Sequence, residues 1–494
     1  MALKFGTSGV RGLVSDMTDR ECYLYTLAFL RYVKTRSSPR GVAIAGDRRK
    51  STPRILKAVG FAAQQEGLRV DACGLVPTPA VTVYGLKHEM PSVMVTGSHI
   101  PEDRNGIKYN MPWGEVLKAD EAEISRRYRD LEREEAARIR DGTSDFTNRG
   151  DLKPEKGFEL GEENPAAGRD YVERLVSFFP SGCLEGLKVV FYQHSCVSRQ
   201  ILPEMLRRLG ARVVEVGSSE TFVPVDTEAV AETEKLAAWV AEHGADALAT
   251  ADGDGDRPLV IDEKGNVVRG DVLGILVADF LEADSVSVPV SCNTALEKSG
   301  RFRNVDRTRI GSPYVIESML NAVRAGYRKV VGYEANGGFL TATDLERSGS
   351  DERLTALPTR DAALPIIALL VKSLRQGQPI SALVSSLPSR FTQSGLLKNV
   401  STDLGNSLVE RLAKQGAEGV SLVFGESFGA FEGMDCTDGA RITFATGDIL
   451  HLRPSGNAPE FRCYTESSSE DRAARLNQAA LGMIRAALEA SIRP

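Results

Sequence analysis

Val42-Ala43-Ile44-Ala45-Gly46-Asp47 reads as a short buried strand that stops on a glycine and a carboxylate. Ser51 or Thr52 then offers a helix cap, with Pro53 in the first turn, where a missing N–H costs nothing. Ile55, Leu56, Val59 and Ala63 recur at helical spacing, and Gly67 supplies a stop. Val70 to Leu75 reads as the next strand, and Ser92 to Thr96 as another. Strands alternating with helices predict parallel βαβ units.

The same pattern restarts twice. Leu187-Lys188-Val189-Val190-Phe191-Tyr192 is a strand, Gln200 to Leu209 a helix, and Arg212 to Val216 a strand. Val230 to His243 reads as helical, and Ala247-Leu248-Ala249-Thr250 as a strand ending on an acidic loop. A third round runs from Val286-Ser287-Val288-Pro289-Val290 through a helix at Tyr314 to Arg324 to the strand Lys329-Val330-Val331-Gly332. The tail differs: Ser421 to Phe424, Ala440 to Ala445 and Phe461 to Tyr464 read as antiparallel strands, and Ser469 opens a long helix. Ala119 to Arg140 reads as a charged helix, and the stretch 154–168 as a linker. The expected class is therefore α/β, with an α+β segment at the C-terminus.

The chain has 494 residues, enough for about three or four domains. Its formal charge of −6 argues against a general nucleic-acid binder, while leaving room for a local basic cluster that attracts an anionic substrate. Seven scattered cysteines with no C-x-x-C pair fit reduced thiols rather than a disulfide framework. No signal-peptide core and no membrane-length apolar run is present, so a soluble cytoplasmic protein is expected, with no membrane partner.

Five segments carry chemistry. Thr96-Gly97-Ser98-His99-Ile100-Pro101, running on to Lys108, sets a hydroxyl, an imidazole and an ammonium just past a strand end. Strand ends are where sites form in α/β sheets, and serine needs a neighbour to take its proton. Asp252-Gly253-Asp254-Gly255-Asp256-Arg257 alternates carboxylates with glycine, a pattern that converges on a hard cation such as Mg²⁺. A calcium loop is a poorer reading, because Arg257 stands where that loop needs glycine and Pro258 follows. Arg453-Pro454-Ser455-Gly456-Asn457 offers an arginine fork and an anion nest. Gly332-Tyr333-Glu334-Ala335-Asn336-Gly337-Gly338 offers sugar-hydroxyl partners. Gly6-Thr7-Ser8-Gly9-Val10-Arg11-Gly12 is small and flexible, with one arginine. Each taken alone is as consistent with a solvated turn.

Together, in this order, the five segments resemble the α-D-phosphohexomutases, the phosphoglucomutase/phosphomannomutase superfamily. The resemblance covers essentially the whole chain. It implies three related α/β domains plus a C-terminal α+β domain around a central cleft. The expected boundaries are 1–155 with the serine loop, 156–283 with the metal loop, 284–392 with the sugar loop, and 393–494 with the phosphate-binding loop. By the same resemblance Ser98 carries a phosphoryl group, and Asp252, Asp254 and Asp256 hold Mg²⁺ with the Ser98 phosphate. Lys108 and Arg11 assist proton transfer and stabilise charge, with His99 beside them. Arg257, Glu334 and Asn336 meet the substrate, and Arg453, Ser455, Gly456 and Asn457 clamp its non-reacting phosphate.

The resemblance implies reversible interconversion of hexose 6- and 1-phosphates through a hexose 1,6-bisphosphate, which also serves as activator. Mannose phosphate is the first expected substrate, then glucose phosphate or both, then glucosamine phosphate. The expected assembly is a monomer or homodimer. A metal-dependent phosphatase and a non-catalytic sugar-phosphate binder are the rival classes. Two departures stand out. Ile100 follows Ser-His where asparagine is common, and Gly338 ends the sugar loop where many members carry histidine. Ser312, in Thr308-Arg309-Ile310-Gly311-Ser312, stands where a histidine base sometimes lies, which leaves Lys108 as the expected base. His99 is expected to diverge from Ser98, as neighbours on an extended loop do.

Overall fold

The computed structural model describes residues 3–6, 9–347, 352–455 and 459–492. The chain forms two compact units. One comprises residues 1–286 and 311–384, the other residues 287–310 and 385–494.

In the first unit, Gly41–Gly46 pairs in parallel with Arg69–Gly74 and with Ser92–Val95, as the strand–helix–strand pattern predicts. The intervening helices are Thr52–Gln65 and Thr78–Lys87. Ser51 sits at the helix N-cap position without a side-chain capping bond, its Oγ accepting instead from Asn105 Nδ2 at 2.8 Å, whereas Thr52 Oγ1 donates to Asp47 Oδ1 at 2.7 Å. The sheet then turns antiparallel: Arg104–Met111 pairs with Ser92–Val95 on one side and Gly9–Leu13 on the other. The register sets Gly9 opposite Lys108 and Arg11 opposite Gly106, so Arg11 and Lys108 project from the same face. Helices Asp19–Lys34 and Lys118–Arg140 add aromatic packing, with Tyr25 stacked on Tyr128 at 3.8 Å and Phe29 on Tyr109 at 4.6 Å.

A further sheet and a hairpin in this unit end on the loops that matter. Lys188–His194 pairs in parallel with Arg212–Ser218 and Ala247–Ala251. Ala247–Ala251 then pairs antiparallel with Pro258–Asp262, with Ala251 opposite Pro258. The acidic segment 252–257 is thus the tip of a hairpin. Val330–Tyr333 and Phe339–Thr341 form a second hairpin with Tyr333 opposite Phe339, so 334–338 is its turn. Leu357–Asp361 joins that hairpin with an irregular register: Phe339 faces Asp361 while Thr341 faces Leu357. The helix expected from Val230 starts at Thr233, and Ala166–Phe178 begins inside the expected linker.

The second unit is built on an antiparallel sheet in the order Phe391–Lys398, Glu460–Ser467, Ile449–Pro454, Ala440–Phe444, Phe431–Asp435. Helices Thr402–Phe424 and Glu470–Ile492 accompany it, the latter opened by Ser469, whose Oγ accepts from Arg472 N at 3.3 Å. Ser421 to Phe424 is therefore the end of a helix, not a strand. A four-residue apolar run carries no period of its own. In its helical context Val420 and Phe424 are buried one turn apart while Leu422 between them is 82% exposed. The earlier segment of this unit is tied to the later one through Glu466. Its Oε1 accepts from Thr294 N at 3.1 Å, from Thr294 Oγ1 and from Arg390 Nε at 2.5 Å.

Candidate active site

Ser98 is fully buried with φ +57°, a left-handed conformation unusual for serine. Its surroundings over-determine it. Ser98 N donates to Thr96 Oγ1 at 2.8 Å, and Thr96 Oγ1 donates to Asp47 Oδ2 at 2.7 Å. Arg49 donates from Nη2 to Ser98 O at 3.1 Å and Ile100 O at 2.6 Å, and from Nη1 to Pro101 O and Arg104 O. The guanidinium lies 3.8 Å from the centroid of the Phe222 ring. Gly46-Asp47 read as a strand end in the sequence; that strand end is also the brace of the serine loop.

The left-handed turn changes the expectation for His99. The loop is not extended there, and His99 Nδ1 comes within 3.2 Å of Ser98 Oγ instead of diverging from it. Burial, then Arg257 and Arg11, lower the imidazole pKa to about 2, so the ring is neutral and either donates or accepts one hydrogen bond at that nitrogen. The Ser98 hydroxyl donates to Asp252 Oδ2 at 2.5 Å.

Asp252, Asp254 and Asp256 are buried, and one oxygen from each lies within 4.8 Å of the others. Asp252 Oδ1 accepts from the backbone N–H of Asp256 and Arg257 at 3.1 and 3.2 Å. Asp254 Oδ2 accepts from Thr78 Oγ1 and from Lys108 Nζ, the latter at 2.6 Å. Asp256 Oδ2 accepts from Lys108 Nζ at 2.6 Å and Arg360 Nε at 3.0 Å. The opposite oxygens, Asp254 Oδ1 and Asp256 Oδ1, are buried with no hydrogen-bond partner. Buried carboxylate oxygens in that state fit a hard divalent cation. Burial, then Asp254 and Asp256, raise the Asp252 pKa to about 8. Burial acts the same way on Asp256, but Arg360, Lys108 and Arg257 overcome it and hold that carboxyl well below its ordinary value.

Cations crowd this triad. Arg257 Nε is 3.9 Å from Asp252 Oδ2 and 3.8 Å from Asp256 Oδ1, buried, and without a hydrogen-bond partner. Burial, then Arg257 and Arg360, lower the Arg11 pKa to about 10. The site has more positive charge than the aspartates alone balance, which suits an incoming phosphate.

Glu334 and Asn336 are both buried on their hairpin turn. Asn336 Oδ1 accepts from Gly338 N at 2.9 Å, and Asn336 O accepts from Thr227 Oγ1 at 2.8 Å. Glu334 Oε2 accepts from Arg360 Nη1 at 3.1 Å. Sequence reasoning passed over Arg360. The available signal was an arginine in Leu357-Pro358-Thr359-Arg360-Asp361, directly ahead of the apolar helix Ala363–Gln376, where a buried cation needs partners. Ser312 Oγ donates to Glu115 Oε2 at 2.6 Å and accepts from Arg360 Nη1 at 2.9 Å.

In the second unit, Arg453 Nε lies 3.0 Å from Asp438 Oδ2, which also accepts from Ile310 N at 3.0 Å. Arg309 Nε donates to Thr437 O at 3.1 Å, so two arginines converge on one turn. Ser455 N donates to Glu460 O at 2.8 Å, and Ser455 O accepts from Thr402 Oγ1 at 3.0 Å. Gly456 and Asn457 lie outside the described residues.

Comparison with known proteins agrees with this layout. The phosphoglucomutase/phosphomannomutase family models match in chain order. Alpha/beta/alpha domain I covers 2–135, domain II 169–265, domain III 269–391 and the C-terminal domain 404–482. A phosphomannomutase of Sinorhizobium fredii is 40% identical over 99% of this chain and 100% of its own. A phosphomannomutase of Salmonella muenchen is 39% identical over 98% of this chain and 96% of its own. The crystal structure of a phosphoglucomutase/phosphomannomutase family protein from Burkholderia thailandensis superposes with a TM-score of 0.73. It covers 97% of this chain and 96% of its own at 20% identity, and so speaks to the fold alone. With four matching domains and near-full-length relatives, the chain belongs to the phosphoglucomutase/phosphomannomutase family.

Proposed function

We propose that the protein is a phosphohexomutase that interconverts mannose 6-phosphate and mannose 1-phosphate, with Ser98 as phosphoryl carrier. The observation that carries this is the Ser98 hydroxyl 2.5 Å from Asp252, beside two orphaned carboxylate oxygens on Asp254 and Asp256. A serine so placed is a phosphoryl carrier at a divalent-cation site. The names of the relatives favour mannose phosphate; glucose phosphate, which the family description also covers, is the alternative.

In the first half-reaction the P–Oγ bond of phospho-Ser98 breaks and a P–O bond to the hexose hydroxyl forms. The Lys108 ammonium gives a proton to the departing Ser98 Oγ and takes the hydroxyl proton in exchange, so the net transfer is from the hexose hydroxyl to the serine oxygen, and Arg11 and Arg257 hold the phosphoryl oxygens. The bisphosphate reorients, and Ser98 Oγ takes back the phosphoryl from the other end. Asp252, Asp254 and Asp256 would hold Mg²⁺, which would further neutralise charge on the transferring group. His99 stays neutral and steadies the serine oxygen. Glu334 and Asn336 orient the sugar. Arg453, Ser455, Gly456 and Asn457 take the non-reacting phosphate, whose binding orients the acceptor hydroxyl. A hexose 1,6-bisphosphate loads Ser98.

The four-part division at 155, 283 and 392 is retained as our proposal, as is assembly as a monomer or homodimer. All seven cysteines carry free thiols, which supports a cytoplasmic setting. Among the described residues no helix is long and apolar enough to cross a membrane. Coupled assays with mannose, glucose and glucosamine 1-phosphates, with Mg²⁺ and a hexose bisphosphate, test the reading. Isomerisation of mannose phosphate and a phosphate on Ser98 by mass spectrometry are expected. Release of inorganic phosphate without isomerisation would mean a phosphatase.

A further inference from the structure

Arg360 links two sites that the sequence keeps apart. Its side chain is almost fully buried, and its three nitrogens are divided between them. Nε and Nη2 each lie 3.0 Å from Asp256 Oδ2, on the acidic hairpin tip. Nη1 lies 3.1 Å from Glu334 Oε2, on the sugar-loop hairpin, and 2.9 Å from Ser312 Oγ. Ser312 is fixed in turn by Glu115, whose second oxygen accepts from Thr359 Oγ1 at 2.6 Å. A planar guanidinium can serve two edges at once, whereas an ammonium is a point charge on a flexible stem.

The backbone is arranged to permit this. Opposite Phe339–Thr341, the strand Leu357–Asp361 carries extra residues, since Phe339 faces Asp361 and Thr341 already faces Leu357. Such an irregularity re-aims side chains and terminates pairing. Here it lies beside Arg360, while the next residue, Asp361, is held elsewhere by Tyr171 Oη at 2.5 Å. The arginine stem then crosses the sugar-loop turn at Gly338. A Cβ at 338 would sit 2.6 Å from both Cγ and Cδ of Arg360. Glycine at 338 and arginine at 360 are therefore one structural choice, made at two places in the chain.

A buried carboxylate held by an arginine keeps one orientation. Glu334 is such a group. Hydroxyl epimers of a hexose differ in the direction of one O–H, and a fixed acceptor separates them where a free-swinging one does not. We propose that Arg360 is a specificity-determining positioning residue: it fixes Glu334 against Asp256, so that the hexose hydroxyls are read by a carboxylate of preset orientation. The proposal rests on the hexose-phosphate reading given above.

The test compares wild type with Arg360→Lys, Gly338→Ala, Ser312→Ala, Glu334→Gln and the double variant Glu334→Gln/Arg360→Lys. The readouts are kcat and KM for mannose 1-phosphate and glucose 1-phosphate, thermal midpoint, and calorimetric binding of mannose 6-phosphate to metal-free protein. Arg360→Lys is expected to raise KM for mannose 1-phosphate about tenfold or more, and to narrow its preference over glucose 1-phosphate. Gly338→Ala, which removes no polar group, shifts both values in the same direction, and Ser312→Ala does so more weakly. The double variant is no worse than Glu334→Gln alone, because Arg360 acts through Glu334. The binding constant moves in parallel with KM. Unchanged KM and preference in folded Arg360→Lys overturn the proposal, as does a loss of thermal midpoint with kcat/KM intact. If Arg360→Lys does not fold, Gly338→Ala and Ser312→Ala decide by the same criteria. Wild-type protein that isomerises neither sugar fails the mutase reading instead. The calorimetric comparison then still shows whether Arg360 positions Glu334 for a hexose phosphate.

Discussion

Arg49 Nε and Asp47 Oδ2 lie 3.1 Å apart with neither side chain exposed to solvent, and the pair is the clamp that shapes the serine loop. Breaking a buried pair by removing one partner leaves an uncompensated charge and costs about 3–5 kcal/mol. Arg49→Met is expected to lower stability by that order in urea denaturation. Arg49→Lys keeps the charge but not the fork that reaches Ser98, Ile100, Pro101 and Arg104. It should fold, with turnover reduced about tenfold or more as the serine loses its fixed position.

Ser98→Ala removes the proposed phosphoryl acceptor and nothing else of size. Turnover should fall by about a thousandfold or more, and incubation with hexose bisphosphate should add no phosphate by intact mass. The thermal midpoint should stay near that of wild type. Near-wild-type turnover would exclude Ser98 as carrier.

Lys108 balances Asp254 and Asp256 at 2.6 Å each. In chelator, Lys108→Met should lose about 3 kcal/mol of stability, because two buried carboxylates lose their shared cation. Added Mg²⁺ should restore much of that loss while mutase activity stays low. Melting curves with and without the metal separate the two effects.

Burial lowers the pKa of His194 and His451 from 6.5 to about 4, opposed only in part by hydrogen bonds to Ala251 O and Asp438 O. The folded form thus binds these protons less readily than the unfolded chain. Their contribution to stability is complete above pH 6.5 and is lost as pH falls toward 4. Denaturation between pH 7 and pH 4.5 should show stability falling, by about 1.4 kcal/mol per pH unit for each ring in the steep part. His451→Gln should reduce that slope.

Much of this was legible in the chain, and the reasons are local. Alternating strand and helix patterns through residues 41–95 gave parallel pairing because each element's signal is carried by its own residues. The Ser98, Asp252 and Glu334 loops were visible because chemistry was concentrated in a few consecutive positions. Arg360 was not, because its partners are Asp256, Glu334 and Ser312, which no period or spacing connects to it. Ser421 to Phe424 reads as a strand yet folds as a helix end, because the two look alike over four residues. His99 turns toward Ser98 rather than away because of one positive φ, at Ser98, which depends on the distant neighbours Asp47 and Arg49 and not on any local pattern.

The second unit draws on two stretches of chain, 287–310 and 385–494, and they meet at Glu466 through Thr294 and Arg390. This has a consequence for biosynthesis. Domains fold as units while the chain emerges from the ribosome. The first stretch is made before the second and must wait for the strand Glu460–Ser467, which carries the partner of Thr294. A ribosome that stops short of that strand leaves an unfinished unit with exposed strand edges, a ready substrate for chaperones and proteases.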